Sequence, residues 1–526
     1  MLSLIALAYF ASSAFAQTWC GKHYLPTLPA TPPGGLFPIP AVSDSPLLAL
    51  RCSPAIRPYL AEDDKLTSTV KSILVDAPIT HQKIANAVPV DAHNAHLDLA
   101  VTVSVNGKTL AHGTVPLNAT KHELAFSLSS LKPQKEAFVI TCTATLGSQT
   151  FSATGSLSYL PNPPAEIGSV TKMDLRTGTL LARPANGKGG PFAPVFPIGF
   201  YTSFGGYLDQ DFTIPSVLAS QGFTVVHPVP SFDNLTALEI VLDKMQEAGL
   251  YLMYDMRNTY MNATAVTAEV NRIKSRPNLL LWYTGDEPDG TSDPLTATVT
   301  SRNLIQSLDG GDDIVLQDTY MVGNNVTFSS QWSTVCNTTY GDCGCDNCKG
   351  SFEDISTRMD EFAQRLFVNG WERTKAVWTV PQGFGNDTYW KREPTGPEFV
   401  VESIVGINHG GLGVVSWDDP TTPEIKASAS LLAQAMPKLT PFILSSEATF
   451  RQVTVNRVDV GLWTVGARTL VLAANMNYAT TNVDLASLGL HATAAIEQVF
   501  KSGTSSAPAR DHLVFGAVGS GAFIVG

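Results

Sequence analysis

The sequence predicts a multidomain protein, α/β plus all-β, in which a TIM-type (β/α)8 barrel lies between two β-sandwich domains. Strand and helix patterns alternate between residues 164 and 440, which is typical of a parallel sheet covered by helices. Short strands with alternating apolar residues fill residues 66–160, an Ig-like pattern, and residues 441–526. A chain of 526 residues is also longer than one hydrophobic core supports.

The first sixteen residues form a short apolar run that ends in Ala14-Phe15-Ala16. This is the pattern of a secretory signal peptide cleaved before Gln17, so the mature chain is expected to be secreted and extracellular. Pro and Gly are frequent from 17 to 65, which predicts an irregular lead-in. No later run reaches the ~18 apolar residues of a membrane span. A net charge of −12 without a basic cluster argues against nucleic acid or membrane partners.

Asparagine and cysteine patterns agree with a secretory pathway. Seven cysteines leave at least one unpaired. We expect Cys20 to bridge Cys52, the cluster Cys336–Cys348 to hold two loop disulfides, and Cys142 to stay unpaired. A zinc knuckle is the alternative for the cluster, but an oxidising compartment favours disulfides. Six Asn-x-Ser/Thr sequons could carry N-glycans: Asn118, Asn234, Asn262, Asn325, Asn337 and Asn386.

The predicted barrel begins after Pro161-Asn162-Pro163-Pro164, where three of four residues lack a backbone N–H donor. Seven strand candidates follow, one fewer than a complete barrel requires. One unit is therefore irregular or missing, either hidden in the polar, Cys-rich stretch 321–350 or compressed or absent near 307–312. The candidates are 194–201, 223–229, 250–256, 278–288, 313–320, 375–384 and 411–420.

Residues at the carboxyl ends of barrel strands face one shared cavity. Carboxylates and aromatic residues dominate these positions, and there is no Ser nucleophile elbow, His-rich metal set or phosphate-binding Gly loop. Glycosidic cleavage requires this composition: one protonated carboxyl and one carboxylate on opposite sides of a sugar ring. We expect no metal or other cofactor. Beside His227, the predicted substrate-binding residues are Tyr201, Asp255, Arg257, Trp282, Tyr283, Asp286, Tyr320, Trp378, Gln382, Trp417 and Asp419.

One motif resembles a known signature. Gly285-Asp286-Glu287-Pro288 follows the apolar run LLLWYT and resembles the Asn-Glu-Pro motif that ends the fourth strand in clan A glycoside hydrolases. The segments YGDCGCDNC, VWTVPQGFG and SWDDPTT also resemble secreted fungal proteins identified as glycoside hydrolase catalytic cores. The resemblance implies a hydrolase of poly- or oligosaccharide, with Glu287 as general acid/base and Trp417 as the platform beneath the sugar.

The sequence departs from that family at the second carboxyl group. Clan A enzymes carry a nucleophilic Glu at the end of the seventh strand, where this sequence has Gln382. An amide cannot form the glycosyl ester, so the second carboxylate must come from elsewhere. We expect Asp318 first, then Asp418 or Asp419, then Asp286. The predicted catalytic set is Glu287 with Asp318 and Asp418.

Structural explanations compete with these roles. Asp286 can orient Glu287 or bind a sugar hydroxyl, and Asp255 with Arg257 can form an internal ion pair. Tryptophans in strands are about as often core residues as stacking platforms: Trp282, Trp378 and Trp417.

Three functions remain open at this point. The first is a hydrolase that cleaves cell-wall glycans, acting as a monomer. The second is an inactive barrel that binds glycans, which agrees with Gln382. The third is a structural cell-wall glycoprotein.

Overall fold

The computed structural model describes residue 23 and residues 37–66, 70–91, 98–288, 293–309, 313–345, 347–491, 495–507 and 511–526. The predicted signal peptide, Cys20 and most of the predicted lead-in lie outside the described residues. The described chain forms a curled parallel sheet with helices on its outer side, preceded and followed by antiparallel sheets. No helix in this part of the chain is long and apolar enough to cross a membrane.

Antiparallel sheets that share one hydrophobic core form the N-terminal region. Burial alternates along Leu99–Val105, because successive side chains of a strand point to opposite faces. The four-stranded sheet has the order Gln149–Leu157, Phe138–Leu146, Leu99–Val105, Lys108–Val115; the three-stranded sheet has the order His122–Phe126, Lys71–Asp76, Arg51–Pro54; a third pairs Ile79–Gln82, Val42–Leu48 and Val88–Pro89.

The lead-in is therefore less irregular than predicted, since strands of this region begin at residue 42. Arg51–Pro54 pairs with Lys71–Asp76.

The disulfides contradict the expected Cys20–Cys52 bridge and the expected unpaired Cys142, and agree with two loop disulfides in the cluster. Cys52 bonds to Cys142, and not to Cys20, so that the bond joins strands of two different sheets in the N-terminal core. Ninety residues separate these cysteines, and sequence spacing alone does not reveal such a pairing. The cluster holds Cys336–Cys343 and Cys345–Cys348, which leaves none of its four thiols for zinc.

A small antiparallel sheet lies against the interior of the curled sheet. Its residues Met173, Leu180 and Val195 belong to the same core as Val225 and Met253 of the parallel strands. Apolar side chains therefore fill the interior. A ligand of the curled sheet would have to bind at the opening at the carboxyl ends of the strands. The strands of the small sheet are Ala193–Val195, Thr179–Ala182, Lys172–Asp174 and Ile56–Arg57.

The curled sheet has seven parallel strands, each at one of the seven predicted candidates; six lie within the predicted bounds, and the first extends two residues beyond position 201. They are β1 Ile198–Ser203, β2 Val225–Val229, β3 Tyr251–Asp255, β4 Leu279–Tyr283, β5 Asp313–Gln317, β6 Lys375–Thr379 and β7 Val414–Asp419. Their order in the sheet is β4-β3-β2-β1-β7-β6-β5.

Within the described residues, seven helices cover the outer face of the sheet. Asn234 and Asn262 cap two of them through their side-chain oxygens, and Thr395 with Glu398 forms a capping box at a third. The helices are α1 Ile214–Ser220, α2 Leu235–Glu247, α3 Ala263–Ile273, α4 Ala297–Leu308, α5 Glu353–Asn369, α6 Gly396–Asn408 and α7 Pro423–Ile443.

The sheet does not close into a complete (β/α)8 barrel within the described residues, because β4 and β5 are its two edges. Helix α4 ends at Leu308 and β5 begins at Asp313, which leaves no room for another strand. The segment after β5 contributes only two short strands, which pair with each other. Among its described residues the Cys-rich stretch hides no further barrel strand, which leaves the alternative of a unit compressed or absent near residues 307–312.

Two further antiparallel sheets form the C-terminal region and share a core. The five-stranded sheet also packs against the helix layer, because Leu470, Leu472 and Ile524 belong to the core that contains α6 and α7. Its order is Thr449–Val455, Val458–Val465, Arg468–Asn475, Ser520–Val525, Ile496–Ser502, and the smaller sheet has the order Thr481–Asp484, His512–Phe515, Ser505–Ser506.

All six sequon asparagines are exposed.

Candidate active site

Three tyrosines and a histidine form a layer inside the curled sheet, in which Tyr201, His227 and Tyr320 are buried and Tyr283 is partly buried. The ring of Tyr201 on β1 lies 4.1 Å from that of His227 on β2 and 5.7 Å from that of Tyr283 on β4. Tyr201 and His227 are partners in the parallel register, so their side chains point to the same face. Burial raises the pKa of Tyr201, Tyr283 and Tyr320 well above the ordinary value, so these phenols stay neutral.

A chain of charged groups runs from this layer to the opening. Asp255 Oδ2 lies 2.7 Å from His227 Nε2 and accepts from Arg257 Nε at 2.7 Å. Arg257 Nη1 donates to Asp286 Oδ2 at 2.7 Å, and the Tyr283 hydroxyl donates to Asp286 Oδ1 at 2.5 Å. Burial lowers the pKa of His227, which favours the neutral ring with its proton toward Asp255. The internal ion pair of Asp255 and Arg257 is thus present, and Asp255 positions Arg257 from below.

Arg257 connects the two sides of the opening. Its guanidinium carbon lies 5.1 Å from the ring centroid of Trp417, 5.4 Å from that of Tyr283 and 5.6 Å from that of Tyr201. Cation–π contacts at these distances hold the aromatic rings around the guanidinium. Trp417 is only partly buried, so one part of its ring remains accessible beside Arg257.

Tyr320, which follows β5, is under the electrostatic influence of three carboxylates. Burial is the main cause of the raised pKa of Tyr320, and the charges of Asp318, Glu287 and Asp286 raise it further. The charge of Asp318 also raises the pKa of Tyr201. Asp318 and Glu287, which follow two strands that do not pair, thus both act electrostatically on Tyr320.

Glu287 itself is exposed and has a φ of 44°. This left-handed conformation costs a residue with a side chain ~1–2 kcal/mol. Backbone conformations of this kind cluster at functional sites, where the surroundings hold them.

Asp418 and Asp419 at the end of β7 have different surroundings. Asp418 is partly buried, and burial together with the charge of Asp419 raises its pKa to about 6. Asp419 is fully buried and forms an ion pair with Lys426 at the start of α7. Asp419 therefore faces the flank between β7 and α7, and not the opening where substrate contact was predicted. Nothing in the sequence pattern marks Lys426 as its partner.

Two predicted tryptophans lie away from the opening. Trp282 packs against the helix layer and donates from Nε1 to Asp309 Oδ2 at 2.9 Å, because Tyr283 next to it takes the inward face. Trp378 points inward but is fully buried below the opening, against Gly413. Neither lies at the opening where the sugar platform was predicted: Trp378 is a core residue, and Trp282 is partly buried against the helix layer.

Gln382 is also structural. It is fully buried, its Oε1 accepts from Val322 N at 3.0 Å, and its Nε2 donates to the carbonyls of Val322 and Phe384, both at 3.1 Å. An amide fits here because the site needs an acceptor and two donors on one side chain. Glu402 of α6, which the sequence does not single out, accepts from the Gln382 N–H at 2.7 Å.

No model of a protein family matches the sequence, and no curated protein matches it. Solved structures align over much of the chain. An α-amylase from Geobacillus thermoleovorans in complex with acarbose matches with a TM-score of 0.41 and 11% identity, covering 61% of this chain and 93% of that chain. A GH30 endoxylanase from Clostridium papyrosolvens matches with a TM-score of 0.36 and 10% identity, covering 63% and 96%. Likenesses at this level carry no argument about the activity or the site of this chain.

Proposed function

We propose that the protein is a secreted glycoside hydrolase that acts on poly- or oligosaccharide through Glu287 and Asp318. The supporting observation is that the charges of both carboxyl groups, which follow β4 and β5, act on the same buried phenol of Tyr320. Trp417 with Arg257 supplies an aromatic surface at the same opening. Paired carboxyl groups next to an aromatic surface are what cleavage of a glycosidic bond needs.

In this proposal Glu287 gives its proton to the glycosidic oxygen while the bond from that oxygen to the anomeric carbon breaks. Asp318, as a carboxylate, acts on the other side of the ring, either as nucleophile or as the base that takes a proton from water. A separation of about 5 Å between the two carboxyl groups gives retention, and about 6.5–9.5 Å gives inversion.

The remaining groups position these two. Arg257 and Tyr283 donate to both oxygens of Asp286, which directly precedes Glu287 in the chain. Asp286 is thereby held as an acceptor, and the backbone at Glu287 is fixed from one side. This agrees with an orienting role for Asp286.

The experiment is a hydrolysis screen over β-glucans, xylan, mannan, chitin and starch with the secreted protein. With a substrate in hand, Glu287→Gln is expected to lower kcat/KM by ~10²–10⁴-fold, the usual loss when a general acid/base is removed. Asp318→Asn should cause a loss of the same order, while Glu247→Gln, an exposed carboxyl on α2, serves as control and should leave kcat/KM unchanged.

Two results would change the proposal. If Asp418→Asn rather than Asp318→Asn abolishes cleavage, the second carboxyl is Asp418, whose pKa of about 6 would then appear as a limb of the pH profile. If no glycan is cleaved, and Glu287→Gln binds glycans as the native chain does, the protein is a glycan-binding and not a hydrolytic one.

A further inference from the structure

A cavity of about 540 Å³ lies on the flank of the curled sheet, between α1 and the start of α7. It is formed by the segment after β1, by α1 and by the segment that joins β7 to α7. Cavities of about 300–1,000 Å³ accommodate small organic ligands. The walls that matter here are Tyr207, Ile214, Leu218, Gln221, Asp419 and Lys426.

Two buried acceptors of this cavity have no hydrogen-bond partner among the described residues: Asp419 Oδ2 and Gln221 Oε1. Asp419 is fully buried; its other oxygen, Oδ1, pairs with Lys426 and accepts from the Thr421 N–H at 3.2 Å, and the Tyr207 hydroxyl also faces this carboxylate. The main chain of Gln221 is fixed, because its carbonyl accepts from Ser430 of α7 at 2.8 Å. Since a buried acceptor without a donor costs ~1–3 kcal/mol, both oxygens are set up for a ligand that donates hydrogen bonds.

The charges in the cavity select among such ligands. Lys426 balances the carboxylate of Asp419, so the interior carries no net charge from this pair. Asp211 at the rim is exposed, and its carboxylate already accepts from the main chain and hydroxyl of Thr213 at 2.8 and 2.7 Å. A neutral ligand therefore meets no unbalanced charge inside.

We propose that this cavity binds a neutral sugar of one or two rings, separate from the candidate active site. Its hydroxyl groups donate to Asp419 Oδ2 and Gln221 Oε1, and its C–H groups pack against Ile214 and Leu218. Asp419 belongs to the same strand as Trp417, so a sugar held here would anchor a glycan next to the opening.

The test is calorimetric titration of the full chain with glucose, maltose and cellobiose, and with glucosamine and glucuronate as charged probes. Val217 lines the cavity but is 48% exposed, so Val217→Trp can block the entrance without changing the core. Ser216→Trp, on the same helix but outside the cavity, is the matched control. Binding of a neutral sugar should weaken at least ten-fold in Val217→Trp and stay unchanged in Ser216→Trp.

A second variant tests the contacts rather than the space. Gln221→Leu removes one acceptor and should weaken binding about five-fold, the usual effect of one hydrogen bond. Binding at the active site is distinguished because it should depend on Trp417→Ala and not on Val217→Trp. The proposal is overturned if no neutral sugar binds, if Val217→Trp and Gln221→Leu bind as the native chain does, or if glucosamine or glucuronate binds in preference. Sugar binding without any hydrolysis would refute the proposed function alone.

Discussion

The ends of β4 and β6 lie in the same curled sheet but are built in opposite ways. After β4, side chains hold Asp286 from two directions, and Glu287 is left exposed in a left-handed conformation. After β6, Gln382 is buried, and its side-chain amide forms hydrogen bonds with main-chain groups of neighbouring segments. Gln382 cannot serve a ligand, because the protein's own main chain uses its hydrogen bonds. The sequence alone does not distinguish these two cases.

The largest effect is expected from removing Arg257, which holds Asp286 after β4. Arg257→Leu removes the cation that pairs with the buried Asp255, and an uncompensated buried charge costs ~3–5 kcal/mol. Urea unfolding at pH 7 should show a loss of this size. Arg257→Lys keeps the positive charge and should lose less stability, because only the planar arrangement of several N–H donors is lost. Equal stability of Arg257→Leu and the native chain would show that Arg257 does not compensate the buried Asp255.

The next largest effect is expected from replacing Gln382, the buried amide after β6. Gln382→Leu leaves the buried N–H of Val322 without its acceptor and should lower the free energy of unfolding by ~2–4 kcal/mol. Gln382→Glu restores the acceptor but not the donors, so it should also be destabilising and should not increase hydrolysis. A gain of activity in Gln382→Glu would show instead that this strand end reaches the substrate.

A smaller effect concerns β7. The pKa of Asp418 is raised to about 6 from 3.8, so the folded state binds this proton more tightly than the unfolded state. Its stabilising contribution is complete below pH 3.8 and is lost as the pH rises through about 6. Asp418→Asn should therefore be more stable than the native chain by ~1 kcal/mol at pH 7.5, a value reduced for partial exposure. At pH 4 the two should unfold at nearly the same denaturant concentration; a difference at both pH values would contradict the shift.

Much of this arrangement could be predicted from apolar runs and from the rule that parallel strands end at one edge. That reasoning brought together Tyr201, Arg257, Tyr283, Asp286 and Trp417. It could not decide which residues of a strand point into the curled sheet and which point to the helices. A continuous apolar run such as LLLWY has no polar residue to mark the outer face.

Other features depend on packing between distant segments. The Cys52–Cys142 bond joins strands of separate sheets, and the flank cavity arises where α1 meets α7. Gln382 stands where a family resemblance places a nucleophile, but its role follows from the neighbouring main chain of Val322.

The position of β4 at an edge of the curled sheet has a dynamic consequence for the segment that carries Glu287. Within the described residues β4 pairs with β3 alone, so one side of the strand that precedes Glu287 carries no ladder. Opening of β4 requires the rupture of one row of hydrogen bonds, whereas β1 is held by two. Amide hydrogens of β4 should therefore exchange with solvent sooner than those of β1. A bound glycan that contacts both edge strands, β4 and β5, should slow that exchange.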